Sequence, residues 1–446
     1  MGLILHDVEV GGSRVDVRVD NGFVTQIEPR LRAQASDAIV EGDGGALIGG
    51  LHDHHIHVLA LAAARRSVDV GPANTPSGPA FAATLRAAAK RGPVRAVGYY
   101  ESVFGPLDRD ALDAIVPDVR VRVQHRSGGL WILNSPALAS IEPGHLDDER
   151  FERDDAGRHT GRVWRGDDLV RDTGGLPPVD DIGAELAAAG VTSITDATAT
   201  NDDRTIARLR ELPQRVRVMG RLGLTLDPAP KLALGEVKVL LDDDALPDLD
   251  VTIELVREAH HDARGVAVHC VTLVQLRFAI EVFRVAGVRA DRIEHASVAP
   301  GDAINDLHAL GLSVVTQPGF VATRGDEYLE AVDPRDVDAL YPVASLLAAG
   351  VPTRGSSDAP YGPVDPWEAM RAAIDRRTAR GTVVGPTERI DPARAFALFG
   401  DPEAVRVGAH ADLVVLADPR QRALARPSRE RVMVTLVDGE IVHDAR

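Results

Sequence analysis

A single cysteine, Cys270, stands among 446 residues, so no intrachain disulfide framework can hold this chain, and a reducing compartment suits it. Long apolar runs are missing as well: no uninterrupted hydrophobic stretch approaches the ~20 residues that cross a bilayer. The first residues, Met1-Gly2-Leu3-Ile4-Leu5-His6-Asp7, are too short an apolar run, and too soon acidic, for a secretory h-region. The expected location is the cytoplasm. Positive charge is in deficit, with 50 Lys and Arg against 67 Asp and Glu and a formal net charge of −17. That balance argues against nucleic acid or an anionic membrane as partner, since both favour clustered Lys and Arg. Low-complexity tracts and a solenoid period are also absent. What remains is 44% hydrophobic, enough to bury a barrel-sized domain and a smaller companion. The expected partner is a small-molecule substrate, and the expected assembly a homo-oligomer, a dimer first.

The chain is anchored on Gly49-Gly50-Leu51-His52-Asp53-His54-His55-Ile56-His57. Four imidazoles and a carboxylate follow the apolar run Ala46-Leu47-Ile48. Alternate side chains of an extended strand share a face, which points His55 and His57 the same way with the reach for one metal ion. The same alternation sends His52 and His54 to the opposite face, as support or packing, and leaves Asp53 to orient a ligand imidazole.

Around this stretch the periodicity changes twice. Residues 1–48 alternate in short runs, with Asn21-Gly22 as the dipeptide of a type I′ hairpin. Residues 402–446 look the same, with Leu413–Leu416, Val432–Val437 and a turn at Asp438-Gly439. The two ends are expected to form one composite β-sandwich. Between them, residues 49–401 alternate short strands with Ala/Leu-rich helices, predicting a (β/α)₈ TIM barrel of the α/β class. Its strands are expected near 46–52, 191–196, 216–219, 237–241, 266–269, 292–295, 312–316 and 351–354, the last weakened by Pro352. Residues 68–180 break the repeat and read as an insertion after the first barrel strand, placed over the active-site mouth.

Polar residues at strand ends converge at one mouth of such a barrel. The first strand offers His55 and His57, the fourth Lys238, the fifth His269, the sixth His295, and the eighth leads into Asp358. Histidines with a carboxylate and an open position make a catalytic metal site, and this set suffices for two ions if the lysine carries a bridging carboxylate. Lys238 could instead be an ordinary paired cation, and Asp358 a buried ion-pair partner. His6, His145, His159, His260, His261, His308, His410 and His443 read as surface or hydrogen-bonded histidines. Within the insertion, Arg126, Trp131 and Asn134 suggest a clamp or stacking wall for substrate, and Trp164 between Arg162 and Arg165 suggests the same. Cys270 alternates away from the ligands as an inert packed thiol.

His-x-His on the first strand, lysine on the fourth, histidines on the fifth and sixth and aspartate on the eighth resemble the amidohydrolase superfamily. Arg126-Ser127-Gly128-Gly129-Leu130-Trp131, Asn134-Ser135-Pro136-Ala137-Leu138, Gly190 to Ala197, Arg292-Ile293-Glu294-His295-Ala296, Gln317-Pro318, Gly355 to Pro360 and Gly408 to Leu416 extend the likeness. They resemble the YtcJ-like branch (amidohydrolase family 3) typified by N-substituted formamide deformylase. Three departures stand out: Ser127-Gly128-Gly129 replaces the branch's Asp-Gly-His, Asp242-Asp243-Asp244 follows Lys238 in place of an acidic-glycine pair, and His54 replaces a small residue.

The resemblance implies a metal-dependent hydrolase of a non-peptide carbon–nitrogen bond, acting through a metal-activated hydroxide. His55, His57 and Asp358 would hold one ion, and carboxylated Lys238, His269 and His295 a second; Asp358 would move the proton. Zinc suits these ligands, and manganese or iron satisfies them too. The alternative is a mononuclear hydrolytic deaminase of a small ring compound, with His295 as catalytic electrophile and Lys238 unmodified. A third reading, a catalytically silent scaffold barrel, requires a lost ligand, and none is lost here.

Overall fold

The computed structural model describes residues 2–170, 175–243 and 245–446; Asp244, the last of the acidic run after Lys238, lies outside them. The chain divides into two compact units, Met1–Val58 with Pro178–Arg446, and Leu59–Pro177.

The first unit is built on eight parallel strands that follow one another in chain order: Leu51–Ile56, Val191–Asp196, Arg215–Gly220, Leu232–Leu240, Val266–Cys270, Arg292–His295, Ser313–Thr316 and Thr353–Gly355. They are numbered here as barrel strands one to eight. Helices lie between them because the linking segments are amphipathic and capped. Leu249–His261 buries Thr252, Ile253, Val256 and Ala259, a single stripe at helical spacing, and starts where Asp248 accepts from the Val251 amide. Leu273–Ala286 opens with a reciprocal Thr272–Gln275 cap. Outward strand residues Val237, Val266, Val268, Ile293 and Val314 pack with Leu276, Phe283, Ile304 and Leu307 of the helices in one apolar cluster. Pro352 falls one residue before the eighth strand, where its missing amide interrupts no ladder.

The predicted opening strand is two strands. Leu47–Gly49 pairs antiparallel with Leu413–Leu416, and only from Leu51 does the chain enter the barrel. Gly50 makes the junction: a Cβ there would lie 1.9 Å from Thr192 Oγ1, so only glycine permits this approach. The termini form two four-stranded sheets, one from residues 3–41 and one combining Leu47–Gly49 with three C-terminal strands. Leu5, Val17, Val19 and Val24 of the first share a buried cluster with Leu413, Val415, Val434 and Leu436 of the second. Both hairpin turns expected from sequence carry the two positive φ angles of type I′: 50° and 80° at Asn21-Gly22, 52° and 77° at Asp438-Gly439.

The second unit contains a six-stranded sheet, ordered Phe151–Arg153, His159–Trp164, Leu130–Leu133, Val121–His125, Val94–Tyr99 and Val68–Asp69. It has its own apolar clusters, one around Phe81, Leu85, Tyr99 and Leu112 and one around Trp131, Leu133, Phe151 and Val163.

Ladders run from the first barrel strand through to the eighth, and the seam between those two ends is joined differently. The Asp358 amide donates to the His55 carbonyl at 2.8 Å and the His57 amide to the Ala359 carbonyl at 2.9 Å. Beneath them Asp53 accepts from the Ser357 amide at 3.0 Å, the Ser357 hydroxyl at 2.5 Å and the His55 amide at 3.2 Å. Burial pushes the Asp53 carboxyl up to about 6, against the pull of these hydrogen bonds. Because the folded value exceeds the unfolded 3.8, stability is greatest below the unfolded value and falls as pH rises toward the folded one, by roughly 1.4 kcal/mol per unit. Asparagine can keep both amide bonds through its oxygen and reverse the third, its NH2 donating to the Ser357 hydroxyl, without titrating. Urea midpoints of metal-free protein should therefore show Asp53→Asn gaining on wild type by a few kcal/mol between about pH 4 and 6; a constant difference across that window would show that this carboxyl titrates normally.

Candidate metal centre

His55, His57 and Asp358 meet at the seam. His55 Nε2 lies 3.4 Å from His57 Nε2 and 3.4 Å from Asp358 Oδ1, and His57 Nε2 lies 3.3 Å from the same oxygen. A point equidistant from three atoms so spaced is roughly 2 Å from each (side over √3), the bond length of nitrogen and oxygen ligands to zinc. Burial, together with the nearby Lys238 ammonium, lowers the His55 imidazole well below its ordinary value. Burial alone would raise the Asp358 carboxyl, but the imidazoles of His55, His57 and His295 hold it below the usual carboxylate range. A neutral His55 imidazole and an ionised Asp358 carboxylate are the protonation states a divalent ion requires of these two ligands.

The other predicted ligands lie around this triangle. His295 Nδ1 is 3.9 Å from Asp358 Oδ2 and 2.9 Å from Gln317 Oε1, and Gln317 in turn donates to Ser356 Oγ at 2.9 Å. His55, His295 and Asp358 have ligand atoms mutually within 4.8 Å. The His269 ring stands edge-on to that of His295, 4.5 Å between centroids. Lys238 is buried on the fourth strand, two residues before Leu240, which is in register with His269. Its Nζ and Asp358 Oδ1 are both buried without a hydrogen-bond partner, which native interiors rarely tolerate. The Asp358 oxygen, a buried acceptor among imidazoles, fits a site that could hold a cation. His295 and Asp358 also sit at φ 71° and 52°, left-handed backbone that is unfavourable for these residues and recurs where geometry is fixed by function.

Residues that sequence reasoning passed over fix the ligands. His55 Nδ1 contacts the carboxylate of Glu294, which is fully buried. His57 Nδ1 is 3.1 Å from Thr198 Oγ1. Asp53, expected to orient an imidazole, bonds backbone and Ser357 instead, because its side chain faces the seam. Glu294 was legible in principle: it shares a strand face with Arg292, and a carboxylate inside a barrel must be paired.

His52 and His54, expected as support or packing, stand outside the group of His55, His295 and Asp358 that could hold a metal ion. The register between the first and second strands shifts between Asp53 and Ile56, and such a bulge re-aims the side chains beyond it. His52 and His54 stack, 4.0 Å apart and 5° from parallel, among the charged groups of Arg217, Arg292 and Arg354, and His52 bonds Thr195 Oγ1 at 2.9 Å. Cys270 packs outward in the strand–helix core, burial pushing its thiol pKa up.

Two of the expected substrate contacts are otherwise engaged. Asn134 is fully buried and holds backbone together, donating to the carbonyls of Val116 and Val119 and accepting from the amides of Val121 and Ala137. Trp131 is 2% exposed, donates to Asp167 at 2.9 Å and packs with Leu133 and Phe151. Arg126 lies 3.8 Å over the Tyr100 ring. Trp164 is 44% exposed, with Arg162 5.6 Å from its ring and its indole N–H donating to Glu152.

Known proteins agree with this architecture. The chain is 30% identical over 166 residues to N-substituted formamide deformylase of Arthrobacter pascens, covering 34% of this chain and 31% of that protein. It is 25% identical over 208 residues to YtcJ of Bacillus subtilis (strain 168), a proposed amidohydrolase, covering 43% and 39%. The aligned segments thus span about a third of these relatives' own length. An uncharacterised metal-dependent hydrolase from Pyrococcus furiosus shares the fold with a TM-score of 0.70 at 19% identity, over 93% of this chain and 98% of that one. Residues 38–443 match the amidohydrolase family, and the chain belongs to it.

Proposed function

We propose that this protein is a metal-dependent hydrolase that cleaves the carbon–nitrogen bond of a small, non-peptide amide. The observation that carries this reading is the buried convergence of His55, His57 and Asp358 beside the unpartnered Nζ of Lys238. The deformylase among the relatives acts, by its name, on N-substituted formamides, which supports a carbon–nitrogen bond here. His55, His57 and Asp358 would hold one divalent ion, zinc first, and Lys238 in carboxylated form would hold a second with His269 and His295. Bound metal supplies Lewis acidity, bringing the pKa of water toward ~7 and polarising a carbonyl. Asp358 takes the proton of the attacking water and delivers it to the departing nitrogen. Its main chain is pinned for this by the bond to the His55 carbonyl, while Gln317 orients His295.

A second reading is hydrolytic deamination with one ion, held by His55, His57, His269 and Asp358, with Lys238 unmodified. Metal content separates the two: about two equivalents in active protein supports amide cleavage, one supports deamination, and activity independent of any divalent ion overturns both. A screen of formamides, acetamides, carbamates and cyclic imides should release amine rather than ammonia. Asp358→Asn should lower kcat by about 10²–10⁴-fold, the usual contribution of a general acid–base, and His55→Ala should lose both metal and turnover while circular dichroism shows an intact fold.

A further inference from the structure

Glu294 is a fully buried carboxylate that touches the ring of a predicted ligand, His55, without converging on the metal cluster. One of its oxygens contacts His55 Nδ1, and the other accepts from Arg292 Nε at 2.5 Å. Arg292 also donates through its terminal nitrogen to the carbonyl of His54 at 3.0 Å. Arg292 therefore grips the first strand twice, directly at the backbone of residue 54 and through Glu294 at the ring of residue 55. All three side chains are nearly inaccessible, at 8%, 0% and 1% exposure for Arg292, Glu294 and His55.

We propose that Arg292 and Glu294 form a positioning clamp that sets the tautomer and ring plane of His55 and thereby the metal affinity of the centre; this inference rests on the functional reading above. A carboxylate can only accept, so the proton of a neutral His55 must sit on Nδ1, facing Glu294. Nε2 is then left with its lone pair aimed at His57 Nε2 and Asp358 Oδ1, 3.4 Å from each. Without the clamp the imidazole could place its proton on Nε2, turning a ligand atom into a donor, or rotate about its side-chain bonds. Stability offers a weaker rationale for burying this pair. A buried ion pair is often replaceable by apolar side chains at no loss, and apolar residues already fill the outward faces of these strands. Asp53 does not duplicate the role, since it binds the His55 amide and not its ring. The clamp is thus divided: Asp53 holds the backbone from the seam side, and Glu294 holds the ring from inside.

The test uses full-length protein stripped of metal and titrated with zinc against a chromophoric chelator. Glu294→Gln is nearly isosteric but exchanges one acceptor for a donor, so it cannot serve His55 and Arg292 together. Its zinc affinity should fall about 10–100-fold, the usual effect of losing a ligand's hydrogen-bond partner, with kcat falling at unchanged KM. Glu294→Asp, charged but shorter, should fall alike, because contact and not field does the positioning. A downfield imidazole N–H proton assigned to His55 in metal-free wild type by its loss in His55→Ala should also be missing from Glu294→Gln. Undiminished zinc affinity in folded Glu294→Gln, or full affinity in Glu294→Asp, overturns the clamp. So does a fall in thermal midpoint with affinity unchanged, which is the signature of a structural pair. If Glu294→Gln fails to fold, Arg292→Lys, which keeps charge but cannot reach both partners, should show the same loss, and unchanged affinity there overturns the clamp as well. Wild type that binds no zinc would instead sink the functional reading itself, so the two failures are distinct.

Discussion

Ionisable side chains, among them those of Lys238, Arg292, Glu294 and Asp358, are withdrawn from water inside one barrel, and the rest of the site follows from that constraint. An isolated buried charge costs several kcal/mol even after relaxation, so each must meet an opposite charge, a hydrogen-bonding partner or an ion. Arg292 and Glu294 satisfy one another. Asp358 is surrounded by imidazoles. Lys238 Nζ has no hydrogen-bond partner and meets only the charges of Glu294, Arg292 and Asp358.

The same constraint explains why the unusual backbone lies where it does. Ladders end before the seam between the first and eighth strands, where Asp358 sits, and at the end of the sixth strand, where His295 sits, so the chain can leave regular geometry at both places at low cost in hydrogen bonds. His295 and Asp358 take left-handed conformations at strand ends, a strain on the order of 1–3 kcal/mol each that the seam bonds and the Gln317 contact hold in place. Asp53 belongs to this arrangement as the buttress of the loop that carries Asp358.

Much of this was legible in sequence, because period and position carry physical meaning. Eight short strands separated by amphipathic helices specify a barrel, and polar residues at strand ends specify where chemistry collects. Asn-Gly and Asp-Gly turns gave both terminal hairpins. What escaped depends on contacts between distant residues. The register shift in the first strand arises where Asp53 meets Ser357, about 300 positions on, and no local pattern shows it. Asn134 and Trp131 look like binding residues in print because their polar groups are conspicuous, yet both close hydrogen bonds inside a core. Glu294 was hidden by the opposite effect, standing beside a more noticeable histidine.

Charge balance links the proposed modification of Lys238 to the number of ions. With the ammonium intact, Lys238 and Arg292 offset Glu294 and Asp358, and a dication added to that set brings two uncompensated positive charges into a dry interior. Carboxylation turns the side chain from a cation into an anion, a change of two charges, which is what one dication carries. In the proposed binuclear centre the modified lysine's change of charge therefore offsets one of the two dications. The Glu294 carboxylate sharpens the point. Its proximity raises the Lys238 ammonium's affinity for its proton while burial lowers it, so the free amine that carbon dioxide needs depends on burial prevailing. Arg292, by neutralising Glu294, weakens the opposing influence.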